Sequence, residues 1–163
     1  MSFPRSLKGS VWHTTSYERF LNIIEAGHIL PNPPIPNIDR WKANEGAEYY
    51  PFTRAIAGIS LFDFRNFNSS AYSTEYPLSD WDTFVPVRKG WDVSIWIEVD
   101  TLCLGDSFVS GRDLLTKWKN DKAYKHTIMP YIEAACLSPI PICHFLSVLK
   151  YTRGISRFEQ LRI

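Results

Sequence analysis

A chain of 163 residues with 45% hydrophobic and 21% charged residues has the size and composition of one folded domain, which excludes a disordered or low-complexity protein. Eighteen Lys and Arg against 17 Asp and Glu give a formal net charge of +1, so the chain lacks the general positive charge typical of nucleic-acid-binding proteins. A local basic patch remains compatible with that balance. We therefore predict a single domain over residues 1–163.

Cysteine content and hydropathy bear on metal binding and on the cellular compartment. The three cysteines, Cys103, Cys136 and Cys143, form no C-x-x-C pair and no paired Cys/His spacing, so we predict no metal site and a reducing compartment. The first residues lack the apolar run of a signal peptide. No segment approaches the ~18–20 apolar residues of a membrane-spanning helix. We expect a cytoplasmic protein with no membrane partner.

The first elements along the chain are a strand, a helix and a proline-rich loop. Residues 10–14 (Ser-Val-Trp-His-Thr) predict a short strand. Ser16 can cap a helix in which apolar residues recur at one-, three- and four-residue spacings, and Gly27 favours the end of that helix. Four prolines fix residues 31–37 as an extended loop. Residues 38–54 are poorly patterned and predict a long ordered loop.

The rest of the chain mixes strands and helices. The apolar run at residues 58–64 predicts a buried strand, and the β-branched and aromatic residues at 94–100 predict another. Residues 65–80 predict a loop or short helix, and residues 110–122 predict a helix with apolar residues on one side. A last β region spans residues 131–151, where two prolines require an edge, bulge or turn. The fold class is therefore α+β.

The residue that best suits a binding role is His13, at the end of the first predicted strand. Its ring nitrogens can donate or accept a hydrogen bond to a ligand. Thr14 and Thr15 add short polar side chains beside it. The alternative is a buried histidine whose ring is satisfied by the backbone. The segments that follow in the chain favour the binding role.

The order of strand, His-Thr-Thr, helix, glycine, apolar pair and proline loop resembles the opening of the ADP-ribosyltransferase superfamily. In that superfamily, His-Gly-Ser or His-x-Thr ends the first strand and binds the ribose of NAD. Residues 58–63 (Gly-Ile-Ser-Leu-Phe-Asp) and 69–72 (Ser-Ser-Ala-Tyr) look like its second motif. Residues 131–137 (Tyr-Ile-Glu-Ala-Ala-Cys-Leu) resemble the strand that begins with its catalytic glutamate. The segments follow the family order.

This resemblance implies a fold and a set of site residues. The fold is an ADP-ribosyltransferase-like arrangement of split antiparallel β-sheets with flanking helices. His13, Thr14 and Thr15 line the ribose site in this interpretation. Tyr72 stacks on the nicotinamide ring, and Glu133 is the catalytic carboxylate. A carboxylate suits that role because nicotinamide departure leaves an oxocarbenium-like ribose cation.

Two arginines near the second motif are candidates for phosphate contacts. In the nucleic-acid-modifying branch of the superfamily, an arginine near the position of Arg54 contacts NAD phosphates or the acceptor. A guanidinium suits phosphate because its fork matches two oxygens. The alternative is a surface arginine, which we favour for Arg40 and leave open for Arg54.

A second glutamate competes with Glu133 for the catalytic role. Glu98 lies in the predicted strand at residues 94–100. Asp100 has the same parity as Glu98, and side chains two residues apart share one face of a strand. We therefore predict that Glu98 lies on an exposed strand face and prefer Glu133.

The resemblance predicts an NAD-dependent ADP-ribosyltransferase with NAD as co-substrate and a macromolecule, nucleic acid or protein, as acceptor. The small size fits a bacterial or phage toxin or defence effector, with an antitoxin or inhibitor as partner. The alternative is a non-catalytic module of the same fold that binds a nucleotide or a protein. Phosphate transfer from RNA to NAD ranks lower, because no arginine neighbours His13 in the sequence.

Overall fold

An antiparallel sheet of seven strands forms the centre of the fold in the computed structural model, which describes residues 2–163. Its strands are β1 (Val11–Thr15), β3 (Ile59–Asp63), β4 (Val93–Val99), β5 (Phe108–Val109), β6 (Glu133–Cys136), β8 (Phe145–Thr152) and β9 (Phe158–Leu161). A second sheet pairs β2 (His28–Ile29) with β7 (Ile140–Pro141). The order in the large sheet is β5-β6-β3-β1-β4-β8-β9, and all neighbouring strands are antiparallel.

Helices and short 3-10 turns connect the strands. The α-helices of the described residues are α1 (Tyr17–Ala26), α2 (Phe52–Ala55), α3 (Ser69–Glu75), α4 (Thr101–Leu104) and α5 (Gly111–Asn120). Within residues 2–163, no helix has both the length and the apolar character that crossing a membrane requires. The predicted mixture of helices with antiparallel strands in one domain is confirmed.

Both faces of the large sheet are buried, and they differ in chemistry. Successive side chains of a strand point to opposite faces, so Val11 and Trp12 of β1 enter different cores. One core is aliphatic and is covered by Phe20 of α1. The other is aromatic and includes Phe62 of β3 and Trp96 of β4. Much of the high aromatic content of the chain is therefore core packing.

Helix α1 begins and ends where the sequence predicts. The Ser16 side chain accepts a hydrogen bond from the backbone amide of Arg19 at 3.2 Å, which satisfies one free amide of the first turn. Gly27 has a φ of 84°, and its amide donates to the carbonyl of Ile23 at 2.8 Å. This left-handed position ends the helix. Strand β1 thus leads into α1 with only Ser16 between them.

Two regions depart from the sequence predictions. The stretch 38–54 was expected to be a loop, but it contains a 3-10 turn at Ala47–Tyr49 and most of helix α2. Four residues are too few for a helical period to appear in the sequence, which explains the difference. Strand β9 was not predicted and pairs with β8 at an edge of the sheet. The prediction that proline would occupy an edge is confirmed, since Pro141 lies in the two-stranded sheet.

Strands β1 and β3 pair over only part of their length. Backbone pairs join them at Val11–Asp63 and Trp12–Phe62. Residues 13–15 of β1 pair with β4 on their other side. Beyond Trp12, the contact across to β3 is a side-chain bond between His13 and the carbonyl of Ser60. The sheet is therefore open at this end of β1, next to the start of α1.

The start of α5 fits closely against the chain that precedes β6. The Gly111 amide donates to a carboxylate oxygen of Asp63 at 3.2 Å. A Cβ added at Gly111 would lie 1.8 Å from the carbonyl oxygen of Tyr131 and 2.5 Å from its carbonyl carbon. The obstructing atoms are backbone, so no side-chain rotation can relieve the overlap. This close approach helps to fix the segment that leads into Glu133.

We predict that Gly111→Ala lowers the free energy of unfolding by about 3 kcal/mol, because the added methyl group forces the two backbones apart. Urea denaturation followed by circular dichroism measures the change. Arg112→Ala, at the next and exposed position of the same helix, is the control and should change stability by less than about 0.5 kcal/mol. Equal stability of the two variants would contradict the packing described.

Candidate functional site

A cleft with a volume of about 430 Å³ lies where β1 and β3 separate. Its walls come from β1, the side of α1, the proline loop, helix α2 and the segment before β4 that carries Phe84 and Trp91. The volume is in the range of small-molecule and cofactor sites. Four arginines line it, and we call it the arginine cleft: Arg19, Arg40, Arg54 and Arg88.

His13 is half-buried in the arginine cleft with a defined tautomer. Its Nδ1 lies 3.0 Å from the carbonyl oxygen of Ser60. A carbonyl oxygen only accepts, so Nδ1 carries the proton and donates it. Burial lowers the pKa of His13 and the charge of Arg19 lowers it further, although the bond to Ser60 acts in the opposite direction. The ring is neutral at pH 7, and its Nε2 can accept a hydrogen bond from a ligand hydroxyl.

Glu133 is a buried carboxyl group at the first position of β6. Its side chain is held at both oxygens: Oε1 accepts from the Thr53 hydroxyl at 3.0 Å, and Oε2 accepts from the Met129 amide at 2.8 Å. Burial raises the pKa of Glu133 to about 7, although these two bonds and the charge of Lys42 act to lower it. The carboxyl group is therefore divided between its neutral and ionised forms at neutral pH.

The short helix α2 positions two neighbouring site residues. Thr53 is buried and donates to Glu133. Arg54 lines the cleft, where its Nη2 donates to the Asn37 side chain at 2.7 Å and its guanidinium lies 3.7 Å from the centroid of the Tyr50 ring. The other terminal nitrogen, Nη1, has no hydrogen-bond partner within residues 2–163. Arg54 is thus oriented by stacking on Tyr50, and its unpartnered Nη1 is itself buried.

The positive charge of the cleft is not neutralised by protein carboxylates. Among the residues that the structure describes, none of the four arginines lies within 4.0 Å of an Asp or Glu carboxylate oxygen, although Arg19 donates to the backbone carbonyl of Asp39. Burial lowers the pKa of Arg40 and of Arg88, and the charge of Arg19 lowers both further. Arginine nevertheless stays charged at physiological pH. Four half-buried guanidinium groups without counter-ions favour an anionic ligand with several oxygens.

Arg88 lies between two tryptophans of the cleft. Its guanidinium carbon is 4.7 Å from the ring centroid of Trp91 and 5.4 Å from that of Trp41. The guanidinium carbon of Arg19 also lies near Trp91, 5.8 Å from its ring centroid. Both tryptophans are half-buried, so part of each ring is open to a flat ligand. The guanidinium of Arg88, which can bind phosphate, therefore lies next to aromatic surfaces.

Most site residues predicted from the sequence come together in this cleft. The members that line it are His13, Thr14, Thr15, Arg54 and Glu133. The Thr14 hydroxyl is used internally and donates to the carbonyl of Ile95 at 3.1 Å, and Thr15 is 5% exposed. Thr14 and Thr15 therefore shape the wall, while Nε2 of His13 has no hydrogen-bond partner in the described residues and Arg54 adds positive charge to the lining.

Tyr72 does not line the arginine cleft. It lies in α3 within the aromatic core, with 7% of its surface exposed. Its hydroxyl is 3.0 Å from the hydroxyl of Ser79, and its ring packs against Phe67 and Tyr76. Because helix α3 packs on the aromatic side of the sheet, Tyr72 lies in the aromatic core. The aromatic rings open to a ligand belong instead to Trp41 and Trp91.

Two other expectations about charged residues change. Arg40 was expected on the surface but lines the cleft, where its Nη1 donates to the Asn32 side chain at 3.2 Å. Glu98 was expected on an exposed strand face but is half-buried and accepts hydrogen bonds from Ser10 and Ser147 at 2.7 and 2.8 Å. Glu98 holds neighbouring segments together and does not line the arginine cleft.

Sequence reasoning missed several residues of the site. Thr53, Arg19 and Arg88 lie in different segments and belong to no motif. Arg19 is the only one with a local signal, because it follows His13 by six residues on a helix that begins beside it. Long-range packing brings the others in, and no spacing in the sequence indicates it.

Neither metal ligands nor similarity to known proteins provides evidence about the function of the site. Nowhere in residues 2–163 do three or more His, Cys, Asp or Glu side chains form a group able to hold a metal ion. Comparison of the chain with models of protein families, with curated proteins and with solved structures finds no match. The geometry of the cleft therefore carries the functional inference.

The raised pKa of Glu133 makes stability depend on pH. Between its ordinary value of 4.5 and the folded value of about 7, the folded state keeps the proton that the unfolded state releases. The contribution to stability is thus full below pH 4.5 and is lost as the pH rises to about 7. Glutamine does not titrate, and its amide can accept from Met129 and donate to Thr53.

We predict that Glu133→Gln becomes more stable relative to wild type as the pH rises from 4.5 to 8, by about 3 kcal/mol in total. Urea denaturation at a series of pH values measures this difference. Glu25→Gln removes an exposed carboxylate of α1 and serves as the control. A difference between Glu133→Gln and wild type that stays constant with pH would show that Glu133 titrates normally.

Proposed function

We propose that the protein is an NAD-dependent ADP-ribosyltransferase that moves ADP-ribose to a macromolecular acceptor, and that the arginine cleft binds NAD. One observation carries the proposal. His13, Arg54 and Glu133 are separated by up to 120 positions in the chain but line one cleft. These are three of the residues to which the family resemblance gives roles, and each is of the type that its role needs.

The architecture also supports the proposal. The resemblance implies split antiparallel sheets, and the large sheet opens between β1 and β3 at the point where His13 stands. By strand alternation, His13 belongs to the face of Val11, whereas Glu133 lies opposite Phe62 and belongs to the other face. A ligand that lies in the opening can reach both faces. This geometry fits the ADP-ribosyltransferase-like fold that we propose.

Each part of NAD has matching groups in the cleft. The Nε2 of neutral His13 accepts a hydrogen bond from a ribose hydroxyl. The pyrophosphate fits the unneutralised arginines that line the cleft, Arg54 among them. The two flat rings of NAD fit the half-buried tryptophans Trp41 and Trp91, both of which lie near Arg88. We assign ring stacking to these tryptophans because Tyr72 lies in the core.

We propose that Glu133 stabilises the reacting ribose. When the bond between ribose C1′ and nicotinamide breaks, nicotinamide leaves as a neutral molecule and positive charge develops on the ribose. An ionised carboxylate beside it lowers the energy of that cation. The positive charge of the nicotinamide ring of bound NAD favours the ionised form of Glu133, whose pKa of about 7 in the empty cleft allows this change near neutral pH.

A second candidate is a non-catalytic module that binds a nucleotide or protein partner in the same cleft. The specific observation in its favour is that Glu133 is only 4% exposed and has both oxygens occupied by Thr53 and Met129. A carboxylate that serves only to join α2 to β6 would look the same. In either case, an inhibitor or antitoxin that covers the cleft would block the protein.

We predict that wild-type protein releases nicotinamide from NAD, and that Glu133→Gln lowers the rate by a factor of about 100 or more. Chromatography of released nicotinamide measures this, with single-stranded DNA, RNA and a protein mixture offered as acceptors. Glu25→Gln should keep the wild-type rate.

The outcomes separate the two candidates. The enzyme proposal fails if wild type neither binds nor consumes NAD with all acceptors present. Binding of NAD with no turnover, equal in wild type and Glu133→Gln, would support the non-catalytic module instead.

A further inference from the structure

A second cavity adjoins the arginine cleft on the far side of Glu133. Its volume is about 280 Å³, and it shares four wall residues with the cleft: Trp41, Pro51, Met129 and Glu133. Its other wall comes from the end of α5 and the loop that follows, and we call it the Trp118 pocket. Glu133 thus borders two cavities, which is the arrangement expected of a residue that acts between two bound molecules.

The Trp118 pocket has rigid and accessible aromatic surfaces. Trp118 is fixed by its indole nitrogen, which donates to the carbonyl of His126 at 2.9 Å. Tyr124 meets Trp118 edge to face, with ring centroids 5.0 Å apart and planes at 80°. Tyr124 is 63% exposed although it lines the pocket. A flat ligand that stacks on Tyr124 would cover ring area that the protein leaves open.

Polar groups of the pocket can form hydrogen bonds with the edge of a heterocycle. The Nδ1 of His126 lies 2.7 Å from the carbonyl oxygen of Tyr50, so Nδ1 donates to it and the ring is held in the pocket wall. Lys42 and Asp80 form an ion pair in the wall and remain more than a third exposed. Donors and acceptors therefore accompany the aromatic surfaces.

The charge around the pocket favours nucleic acid over protein or an uncharged ligand. The segment 117–125 reads Lys-Trp-Lys-Asn-Asp-Lys-Ala-Tyr-Lys, with four lysines against one aspartate. Lys117 pairs with Asp121, and Lys125 pairs with a glutamate. Over the described part of the chain, exposed Lys119 and Lys122 make no ion pair. Lysines interleaved with aromatic rings suit a phosphate backbone with stacked bases.

We propose that the Trp118 pocket is the acceptor subsite and that it holds one unpaired base of a single-stranded nucleic acid. This assignment rests on the proposed transfer of ADP-ribose. The base stacks on Tyr124, and the phosphates of the strand contact Lys119 and Lys122, which lie beside Trp118 and Tyr124 in the sequence and outside the pocket wall. A duplex does not fit, because its bases are stacked and paired out of reach.

Because Glu133 lines both cavities, it can take up the proton released in the transfer reaction. A nitrogen or oxygen of the base attacks C1′ of the NAD ribose, and a new bond forms there. The bond from C1′ to nicotinamide breaks, and its electron pair leaves with nicotinamide, which becomes neutral. The proton of the attacking atom passes to the ionised Glu133 carboxylate. Thr53 and Met129 hold that carboxylate at the wall between the two molecules.

The test measures oligonucleotide binding without NAD. Fluorescein-labelled single strands of DNA and of RNA and a blunt duplex of one sequence are titrated with protein, and anisotropy is recorded. We expect single strands to bind at least tenfold more tightly than the duplex, and the affinity to fall with salt. Tyr124→Ala should weaken single-strand binding about tenfold, and Lys119→Gln with Lys122→Gln should reduce its salt dependence.

Tyr17→Ala is the matched control. Tyr17 is an exposed tyrosine of α1 with a lysine, Lys150, 5.3 Å from its ring, and it lines neither cavity. The proposal is overturned if Tyr124→Ala and Tyr17→Ala bind alike, if the duplex binds as well as single strands, or if an acidic peptide binds in their place. The last result would identify a protein acceptor.

Nicotinamide release separates this proposal from the one on which it rests. Consumption of NAD with no Tyr124-dependent binding of single strands would overturn the base pocket and leave the transferase intact. Tyr124-dependent binding of single strands by a protein that never consumes NAD would overturn the acceptor role, and the transferase with it.

Discussion

The separation of β1 from β3 is the constraint on which the site depends. A sheet that loses backbone pairing in its middle must satisfy the freed groups in another way. Here the imidazole of His13 donates to the carbonyl of Ser60, where a backbone amide would otherwise do so. The same bond fixes the tautomer of His13 and directs Nε2 away from Ser60. One hydrogen bond therefore closes a structural gap and prepares an acceptor for a ligand.

The opening in the sheet also explains the electrostatics of the cleft. Segments that meet there bring four arginines and no carboxylate close enough to pair with them among residues 2–163. Burial lowers the pKa values of Arg40 and Arg88, and repulsion from neighbouring arginines lowers them further. This repulsion lowers the stability of the protein without ligand, and a ligand that supplies negative charge relieves it. The buried Glu133 shows the complementary behaviour, since a positively charged group of a ligand placed beside it would favour its ionised form.

The features of the fold and of the site that depend on residues near one another in sequence could be predicted, whereas those that depend on distant residues could not. Local signals gave α1 with its Ser16 cap and Gly27 end, and the buried strands β3 and β4. The motif order pointed to His13, Arg54 and Glu133, which lie in one cleft. Helix α2 was missed because it is too short to show a period, and Tyr72 enters the core because α3 packs on the aromatic face. Arg88 and Thr53 join the site only through long-range packing.

The most direct test of the central claim is a crystal structure of Glu133→Gln with NAD, since this variant keeps the bonds to Thr53 and Met129 while slowing turnover. The account predicts NAD in the arginine cleft, with a ribose hydroxyl within hydrogen-bond distance of His13 Nε2 and the pyrophosphate on the arginines, Arg54 included. NAD bound elsewhere, or an empty cleft in crystals grown at saturating NAD, would contradict it.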